Sequence, residues 1–300
     1  MPTWRWRVEA TGLASVSLSV TIADALRDAA HRLAAISDTP RLDAELLMAD
    51  ALGTDRSALL LHRMRDDVPS GFAALLDRRL NHEPVAYITG RQDFWTLTLG
   101  VSSAVLIPRS DSETLIEAAI AAFPDDAPAR ILDLGTGSGA LLLAALSHWP
   151  QADGVGVDAS EPALAVARDN ALSCGLSDRA RILHADWRVP GWSEGIGGPF
   201  DLVLANPPYI ETDAALARQV HAHEPHSALF AGADGLDDYR ILIPALAALL
   251  APGGVAIFEI GATQRLDVTA LADADGYDVE CRQDLAGHDR ALILRAQRPA

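Results

Sequence analysis

Residues 21 to about 88 carry apolar residues at the spacing of amphipathic helices. Thr21 to Asp24 resembles a capping box with Asp in place of Glu, so it predicts the start of a helix. The apolar face of that helix comprises Ile22, Leu26, Ala29, Ala30 and Leu33. A further helix is predicted from about Pro40 to Gly53, with apolar positions at Leu42, Leu46, Leu47 and Leu52. Shorter helices over residues 54–61 and 70–80 complete a small helical domain at 21–88, after an extension over residues 1–20.

The next segment alternates between apolar and polar residues, as a half-buried strand does. Phe94 to Val101 alternate in this way, and Val105 to Ile107 follow a serine-rich turn. The pattern predicts a β-hairpin linker over residues 89–108, which ends at Pro108.

From about residue 110 onward, short apolar runs alternate with helical patterns. Strands are predicted over residues 130–134, 154–158, 181–184, 200–205 and 255–260, and helices over residues 112–122, 140–147, 160–174 and 237–250. Such alternation is typical of an α/β fold, in which helices cover both faces of a parallel sheet. The end of the chain differs, because residues 277–282 and 290–295 predict an antiparallel hairpin at one edge of that sheet.

The strand at 130–134 runs into a glycine-rich turn, Gly135-Thr136-Gly137-Ser138-Gly139. Glycines let the backbone approach a ligand closely, and the G-x-G-x-G spacing differs from the G-x-G-x-x-G of dinucleotide-binding folds. We expect this turn to make room for the methionine portion of S-adenosylmethionine, which has no phosphate. Asp158 ends the next strand, where an acid is expected to accept hydrogen bonds from ribose hydroxyls. An ordinary acid at a helix N-terminus is the alternative.

Two further groups are candidates for the same ligand. Asp186-Trp187 follows the strand at 181–184. We expect Asp186 to accept from the adenine amino group and Trp187 to stack on the base or wall its pocket, with a plain core aromatic as the alternative. Asp133 precedes the glycines and is expected to organise the turn or to meet the amino group of the cofactor.

Asn206-Pro207-Pro208-Tyr209 follows the apolar strand at 200–205 and is the most informative motif of the chain. The nitrogen of an amide is a poor nucleophile, so an enzyme that methylates it must position it in line with the methyl group. Asn206 Oδ1 and the Pro207 carbonyl can each accept one amide hydrogen, and the prolines stiffen the loop. Tyr209 can pack on the flat acceptor. We therefore predict catalytic roles for Asn206, Pro207 and Tyr209, and substrate binding by Asn206 through Tyr209, with Asn206 also meeting the cofactor.

The overall charge limits the partners. The chain carries 24 Lys and Arg against 41 Asp and Glu, a net charge of −17. Broad binding to nucleic acid or anionic membranes needs clustered positive charge, so we expect no stable partner of either kind. The two cysteines, Cys174 and Cys281, are too few for a disulfide framework and are typical of a cytoplasmic protein. We expect residues 1–20 to be a frayed N-terminal extension. The alternative is a signal peptide, which Arg5 and Arg7 before residues 13–20 loosely resemble.

His221, His223 and His226 form H-x-H-x-x-H on a predicted loop. A metal site is conceivable from the residue type, but no carboxylate or cysteine completes a familiar arrangement. The chemistry predicted above needs no metal, so we expect a polar loop near the acceptor entrance and no metal.

Together these motifs resemble class I methyltransferases that act on nitrogen, and the flanking residues resemble the bacterial release factor glutamine methyltransferases. The flanking motifs are Tyr87 with Gly90, Phe94-Trp95, Val105 to Arg109, Asp111 with Glu113, Glu224-Pro225, Leu229 to Gly232, Asp234 to Leu236 with Tyr239, Asp284 to Gly287, and Asp289-Arg290. The resemblance covers nearly the whole chain from about residue 21.

The resemblance implies a fold and a substrate. The family joins a small helical substrate-recognition domain and a β-hairpin to a Rossmann-like methyltransferase domain with a seven-stranded, mostly parallel sheet, here expected over residues 109–300. It uses S-adenosylmethionine to methylate the glutamine of the Gly-Gly-Gln motif in class 1 peptide chain release factors. Ser110 departs from the proline usual in this family and resembles a sister family that modifies a ribosomal large-subunit protein.

Two other functions stay open from the sequence. Adenine-N6 methyltransferases of nucleic acid also use an Asn-Pro-Pro-Tyr motif on a flipped base, although the net charge of −17 argues against this substrate. A cofactor-binding adaptor without catalysis is the non-enzymatic alternative, against which the intact motif at Asn206 argues.

Overall fold

The computed structural model describes residues 20–297. The chain divides into two compact units, with the boundary between Val85 and Ala86. The predictions of an N-terminal extension and of its signal-peptide alternative concern residues that lie, but for Val20, outside the described part.

The first unit is helical. Its helices are α1 (Ile22–Leu33), α2 (Pro40–Ala51), α3 (Arg56–Ala58) and α4 (Phe72–Leu80), with a π-helical turn at Leu59–Arg63. The predicted cap of α1 is confirmed, because Thr21 Oγ1 accepts a hydrogen bond from the Asp24 N–H at 3.3 Å. Ile22, Leu26 and Leu33 are fully buried, as the apolar periodicity predicted.

The buried face of α2 differs from the prediction. Leu42 is 38% exposed, whereas Asp43 and Glu45 are buried. Asp43 is paired with buried Arg79 at 2.8 Å, and Glu45 receives two arginines, Arg41 at 2.5 Å and Arg56 at 2.7 Å. Burial of a carboxylate is tolerated when it is paired in this way, and apolar periodicity does not detect such pairs.

The β-hairpin exists, but its strands are not the predicted ones. Strand β1 (Arg91–Phe94) pairs antiparallel with β2 (Leu97–Gly100), and Val105 to Ile107 form no strand. The chain turns at Trp95, whose φ is +55°, a conformation rare for a bulky residue. The Trp95 N–H donates to Glu113 Oε1 at 2.8 Å, so a tertiary contact holds this turn.

Within residues 20–297, seven strands form one sheet in the order β5-β4-β3-β6-β7-β9-β8. The strands are β3 (Arg130–Leu134), β4 (Asp153–Asp158), β5 (Ala180–His184), β6 (Phe200–Ala205), β7 (Leu250–Glu259), β8 (Tyr277–Gln283) and β9 (Asp289–Ala296). Strands β3 to β7 pair parallel, whereas β9 pairs antiparallel with both β7 and β8. The predicted mostly parallel sheet with an antiparallel edge hairpin is therefore confirmed.

Helices cover both faces of this sheet. The remaining helices are α5 (Val85–Thr89), α6 (Glu113–Ala122), α7 (Ala140–His148), α8 (Glu161–Ser173), α9 (Arg218–His223), α10 (Asp237–Leu249) and α11 (Arg265–Ala274). The apolar sides of α6, α7 and α8 form a core on one face, and α10 with α11 forms a core on the other. Helix α11 was not predicted. No helix between residues 20 and 297 has the length and apolar character that a membrane crossing requires.

Candidate active site

The predicted site residues follow neighbouring strands at one edge of the sheet. Leu134 of β3 lies level with Val157 of β4 and Ala205 of β6. The glycine turn, Asp158 and Asn206 come next along these strands, and a cavity of about 250 Å³ lies beside them within the second unit. Carboxyl ends of parallel strands are where open α/β sheets bind ligands.

The glycine turn needs glycine for two physical reasons. Gly135, Gly137 and Gly139 have φ values of +74°, +54° and +84°, in the region that side chains disfavour. A Cβ at Gly135 would lie 3.1 Å from Cη2 of Trp187. Residues 135–138 line the cavity, whereas a Cβ at Gly139 would meet Leu143, so the last glycine permits helix packing.

Asp158 both holds the turn and lines the cavity. Its Oδ2 accepts from the Gly137 N–H and its Oδ1 from the Ser160 N–H, each at 2.9 Å. Burial raises the pKa of this carboxyl, while these backbone hydrogen bonds oppose the rise. Each carboxylate oxygen has a further lone pair, so Asp158 can still accept from a ligand hydroxyl.

Asp133 presents an unpaired buried oxygen at the cavity. The residue is 1% exposed, and its Oδ2 accepts from Thr136 Oγ1 at 2.6 Å. Its Oδ1 has no hydrogen-bond partner in the described structure, although Asp133 lines the cavity. Burial and the nearby Asp158 raise the pKa of this carboxyl, whereas Thr136 and the nearby backbone N–H of Leu142 lower it, and the net result is a pKa raised to about 7. A buried oxygen without a partner is costly, so this atom suits a cationic or donor group of a ligand.

Trp187 and Asp186 also line the cavity, and a residue that the sequence analysis missed fixes the indole. Trp187 Nε1 donates to Asp238 Oδ1 at 2.7 Å, and Arg188 Nη2 pairs with the same carboxylate at 3.0 Å. Asp238 belongs to α10 and is fully buried. The plane of the indole is therefore held rigidly at the cavity wall.

Only some residues of Asn206-Pro207-Pro208-Tyr209, here called the acceptor motif, line the cavity. Asn206 and Pro208 line the cavity, and Asn206 Nδ2 donates to Ser112 Oγ at 3.3 Å, which leaves Asn206 Oδ1 available as an acceptor. Pro207 is buried, and the hydroxyl of Tyr209 donates to Glu259 Oε1 at 3.3 Å. Pro207 and Tyr209 are not among the described residues that line the cavity.

Other contacts of the site join residues too distant in the chain for sequence reasoning to pair. Arg109, which lines the cavity, forms an ion pair with buried Glu224, and the other oxygen of Glu224 accepts from the Ile107 N–H at 3.4 Å. Asn170 of α8 donates to the carbonyls of Gly100 at 3.0 Å and Ser138 at 2.8 Å. These bonds tie the hairpin and the glycine turn together.

The three histidines of the sequence analysis lie beyond the acceptor motif. His221 and His223 belong to α9, and the His226 ring nitrogen Nε2 lies 2.9 Å from the carbonyl oxygen of His221. Across residues 20–297, no group of three or more His, Cys, Asp or Glu side chains is arranged to hold a metal ion.

Comparison with known proteins gives the class first. The family model described as "Methyltransferase small domain" matches residues 111–227, and that described as "PrmC N-terminal domain" matches residues 24–90. A solved methyltransferase from Pyrococcus furiosus shares the fold, with a TM-score of 0.50 and 16% identity over 74% of this chain and 98% of that chain. The second unit therefore has a methyltransferase fold.

Curated relatives narrow the class. The release factor glutamine methyltransferase of Caulobacter vibrioides is 42% identical over 85% of this chain and 89% of its own length. That of Bradyrhizobium diazoefficiens is 41% identical over 93% of this chain and 96% of its own. The chain belongs to the release factor glutamine methyltransferase family. This membership confirms the resemblance seen in the motifs. The chain is thus an enzyme, and the alternative of a non-catalytic adaptor is excluded.

Proposed function

We propose that this chain transfers a methyl group from S-adenosylmethionine to the side-chain amide nitrogen of the Gly-Gly-Gln glutamine in a class 1 peptide chain release factor. The observation that carries the proposal is a single cavity lined by both Asp133, with its unpaired Oδ1, and Asn206, whose Oδ1 is available as an acceptor. Family membership supports the same chemistry.

The residues of the cavity fit the cofactor. The unpaired Asp133 Oδ1 matches the cationic amino group, which would satisfy a buried carboxylate oxygen. Asp158 can accept from the ribose hydroxyls, and the rigid Trp187 offers its ring to the adenine, near which Asp186 can accept from the amino group. When bound, S-adenosylmethionine supplies an electrophilic methyl group on a sulfonium centre.

The acceptor motif can position an amide nitrogen in line with that methyl group. Asn206 Oδ1 accepts one amide hydrogen at the cavity. The Pro207 carbonyl as acceptor of the other hydrogen stays a prediction from the rigid proline pair, because Pro207 is not among the described residues that line the cavity. The nitrogen held in this way would receive the methyl group that the sulfonium centre supplies, and the amide proton would pass to solvent. Tyr209, anchored through Glu259, braces the loop from behind, and nothing in this arrangement requires a strong base.

A protein substrate also needs a docking surface. We propose that the helical region over residues 21–88 recognises the release factor, with residues 89–108 as a hairpin linker and residues 109–300 as the methyltransferase domain. The match of residues 24–90 to a family model distinct from the methyltransferase model supports a separate role for this region. Since release factors act in translation, we propose a cytoplasmic location.

The test is methyl transfer from labelled S-adenosylmethionine to alternative acceptors. The acceptors are a release factor, the same factor with Ala in place of the Gly-Gly-Gln glutamine, a ribosomal large-subunit protein and DNA. We expect label in the intact release factor alone. Label in the ribosomal protein would assign the substrate indicated by Ser110, and label in DNA would assign the adenine chemistry instead.

A further inference from the structure

Glu259 is a buried carboxylate beneath the acceptor motif that the chemistry above leaves without a direct role. It ends β7, and Ala205, the residue before Asn206, lies level with Phe258, the residue before Glu259. Glu259 is 2% exposed, and its Oε2 has no partner in hydrogen-bond geometry among the described residues. A buried, incompletely paired carboxylate beside a reaction site requires an explanation.

The donors around Glu259 lead to the acceptor motif. The Tyr209 hydroxyl donates to Oε1 at 3.3 Å, and hydrogen bonding from Ser112 lowers the pKa of Glu259. Ser112 is buried, and its Oγ accepts from Asn206 Nδ2 at 3.3 Å. The Ser112 hydroxyl is therefore bonded to Asn206 and also influences Glu259, so it is in position to couple the two side chains.

The charge of Glu259 determines the direction of these hydrogen bonds. An ionised carboxylate can only accept, so the hydroxyl proton of Ser112 must point to it. Ser112 Oγ can then only accept a hydrogen bond from Asn206. The amide group Nδ2 of Asn206 therefore faces Ser112, and Asn206 Oδ1 points away from it. A protonated Glu259 could donate to Ser112 instead, and Ser112 could then donate to Asn206 in the opposite amide orientation.

We propose that Glu259 is a positioning residue, which acts through Ser112 to hold the amide of Asn206 with its oxygen toward the acceptor and through Tyr209 to brace the loop. The inference rests on the proposed function, since it gives the structural basis for one of the two acceptors of the glutamine amide. Glu259 itself does not line the cavity among the described residues.

The coupling of Glu259 to Asn206 through Ser112, here called the relay, depends on the ionisation of Glu259. Several neighbouring groups set the pKa of Glu259. Burial and Asp111 raise the pKa of Glu259, whereas Ser112, Arg290 and Tyr209 lower it, and the net result is a pKa raised to about 7. The hydroxyl of Tyr239, on α10, donates a hydrogen bond to the backbone carbonyl of Glu259 at 2.7 Å. Amide orientation is fixed above this pKa, so methyl transfer rises with pH through about 7 and then levels.

A test independent of any substrate follows the side-chain amide of Asn206 by NMR during a pH titration. We expect its resonances to shift with the same midpoint as the carboxyl carbon of Glu259. This shared transition should vanish in Ser112→Ala, which cuts the relay but keeps Glu259, and in Glu259→Gln. The relay would be refuted if the Asn206 resonances did not shift as Glu259 titrates. It would also be refuted if they shifted equally in Ser112→Ala.

The kinetic test compares Glu259→Gln with Glu280→Gln, a matched change of an exposed glutamate on β8. The assay uses saturating S-adenosylmethionine, so that the pH dependence of cofactor binding does not contribute. We expect single-turnover methyl transfer by Glu259→Gln to fall about tenfold at pH 8 and to lose its rise through neutral pH, because positioning is lost. S-adenosylmethionine affinity should stay within about twofold in both variants, since the relay meets only the acceptor side. A wild-type enzyme that modifies no release factor would refute the proposed function, and the NMR result would still decide the relay. An active Glu259→Gln with a wild-type pH profile would refute the relay alone.

Discussion

At the scale of single residues, Asn206 stands between a buried hydrogen-bond network and the cavity. Its Nδ2 is used by Ser112 and its Oδ1 is available to a substrate. In Asn206→Ala we expect single-turnover methyl transfer to fall about a hundredfold or more, because the glutamine amide loses one positioning acceptor. Calorimetry should show a much smaller change in S-adenosylmethionine affinity. Near-normal turnover by this variant would remove Asn206 from the acceptor role.

We expect Asp133 to make cofactor binding depend on pH. Its carboxyl has a pKa raised to about 7, and an ionised carboxylate favours the cationic amino group of the cofactor. Below this pKa the carboxyl must lose a proton on binding, so affinity should weaken by up to roughly tenfold per pH unit between pH 7 and 5.5. Calorimetry on Asp133→Asn should show weaker binding that is nearly constant over this range. An equally steep dependence in Asp133→Asn would assign the proton to another group.

The unpaired oxygens of Asp133 and Glu259 show what the sequence leaves out of the site. The motifs identified the glycine turn, Asp158 and Asn206 as neighbours, because each follows an apolar strand of the same parallel sheet. The network behind them could not be predicted, since Asp238, Glu224 and Glu259 bond to residues 50 or more positions away in the chain.

At the scale of elements, strand β4 supports the glycine turn through close packing. A Cβ at Gly156 would lie 2.7 Å from Thr136 Oγ1, and a Cβ at Gly154 would lie 2.5 Å from Leu142 Cδ1. We expect Gly156→Ala and Gly154→Ala each to lower the free energy of unfolding by about 1–3 kcal/mol, because both overpack the same strand. Only Gly156→Ala should also weaken S-adenosylmethionine binding, since Thr136 belongs to the turn.

Denaturant unfolding and calorimetry on the two variants make this comparison. An equal loss of cofactor affinity in Gly154→Ala would show that general loss of stability, and not displacement of Thr136, accounts for the effect.

Element prediction succeeded where local pattern and tertiary structure agree. Strands β3, β4 and β6 are short apolar runs between turn residues, and the structure has them within one residue of the predicted bounds. The hairpin itself was predicted correctly, but the bounds of its strands were wrong, because alternation continues from Phe94 through Val101 although the chain reverses at Trp95. The positive φ of Trp95 depends on a bond to Glu113, which no local pattern encodes. Burial of Asp43 was missed for the same kind of reason, since it depends on Arg79.

At the scale of the whole molecule, the proposed cofactor residues all belong to the second unit, whereas a protein substrate needs a wider surface. A chain that begins at Ala86 should bind S-adenosylmethionine within a fewfold of the full chain. It should methylate an intact release factor poorly, and a short peptide with the same glutamine should lose less than the intact factor does. Unchanged methylation of the intact factor would make residues 21–85 a stabilising region without a docking role.

The central claim is methylation of one glutamine side chain at the nitrogen. The most direct measurement is mass spectrometry of the release factor after incubation with the enzyme and S-adenosylmethionine, with fragmentation to locate the added group, and with the Asn206→Ala enzyme in parallel. The account predicts one added methyl group on the glutamine of the Gly-Gly-Gln motif with the wild-type enzyme and little or none with Asn206→Ala. A methyl group on any other residue, or the same modification from both enzymes, would contradict it.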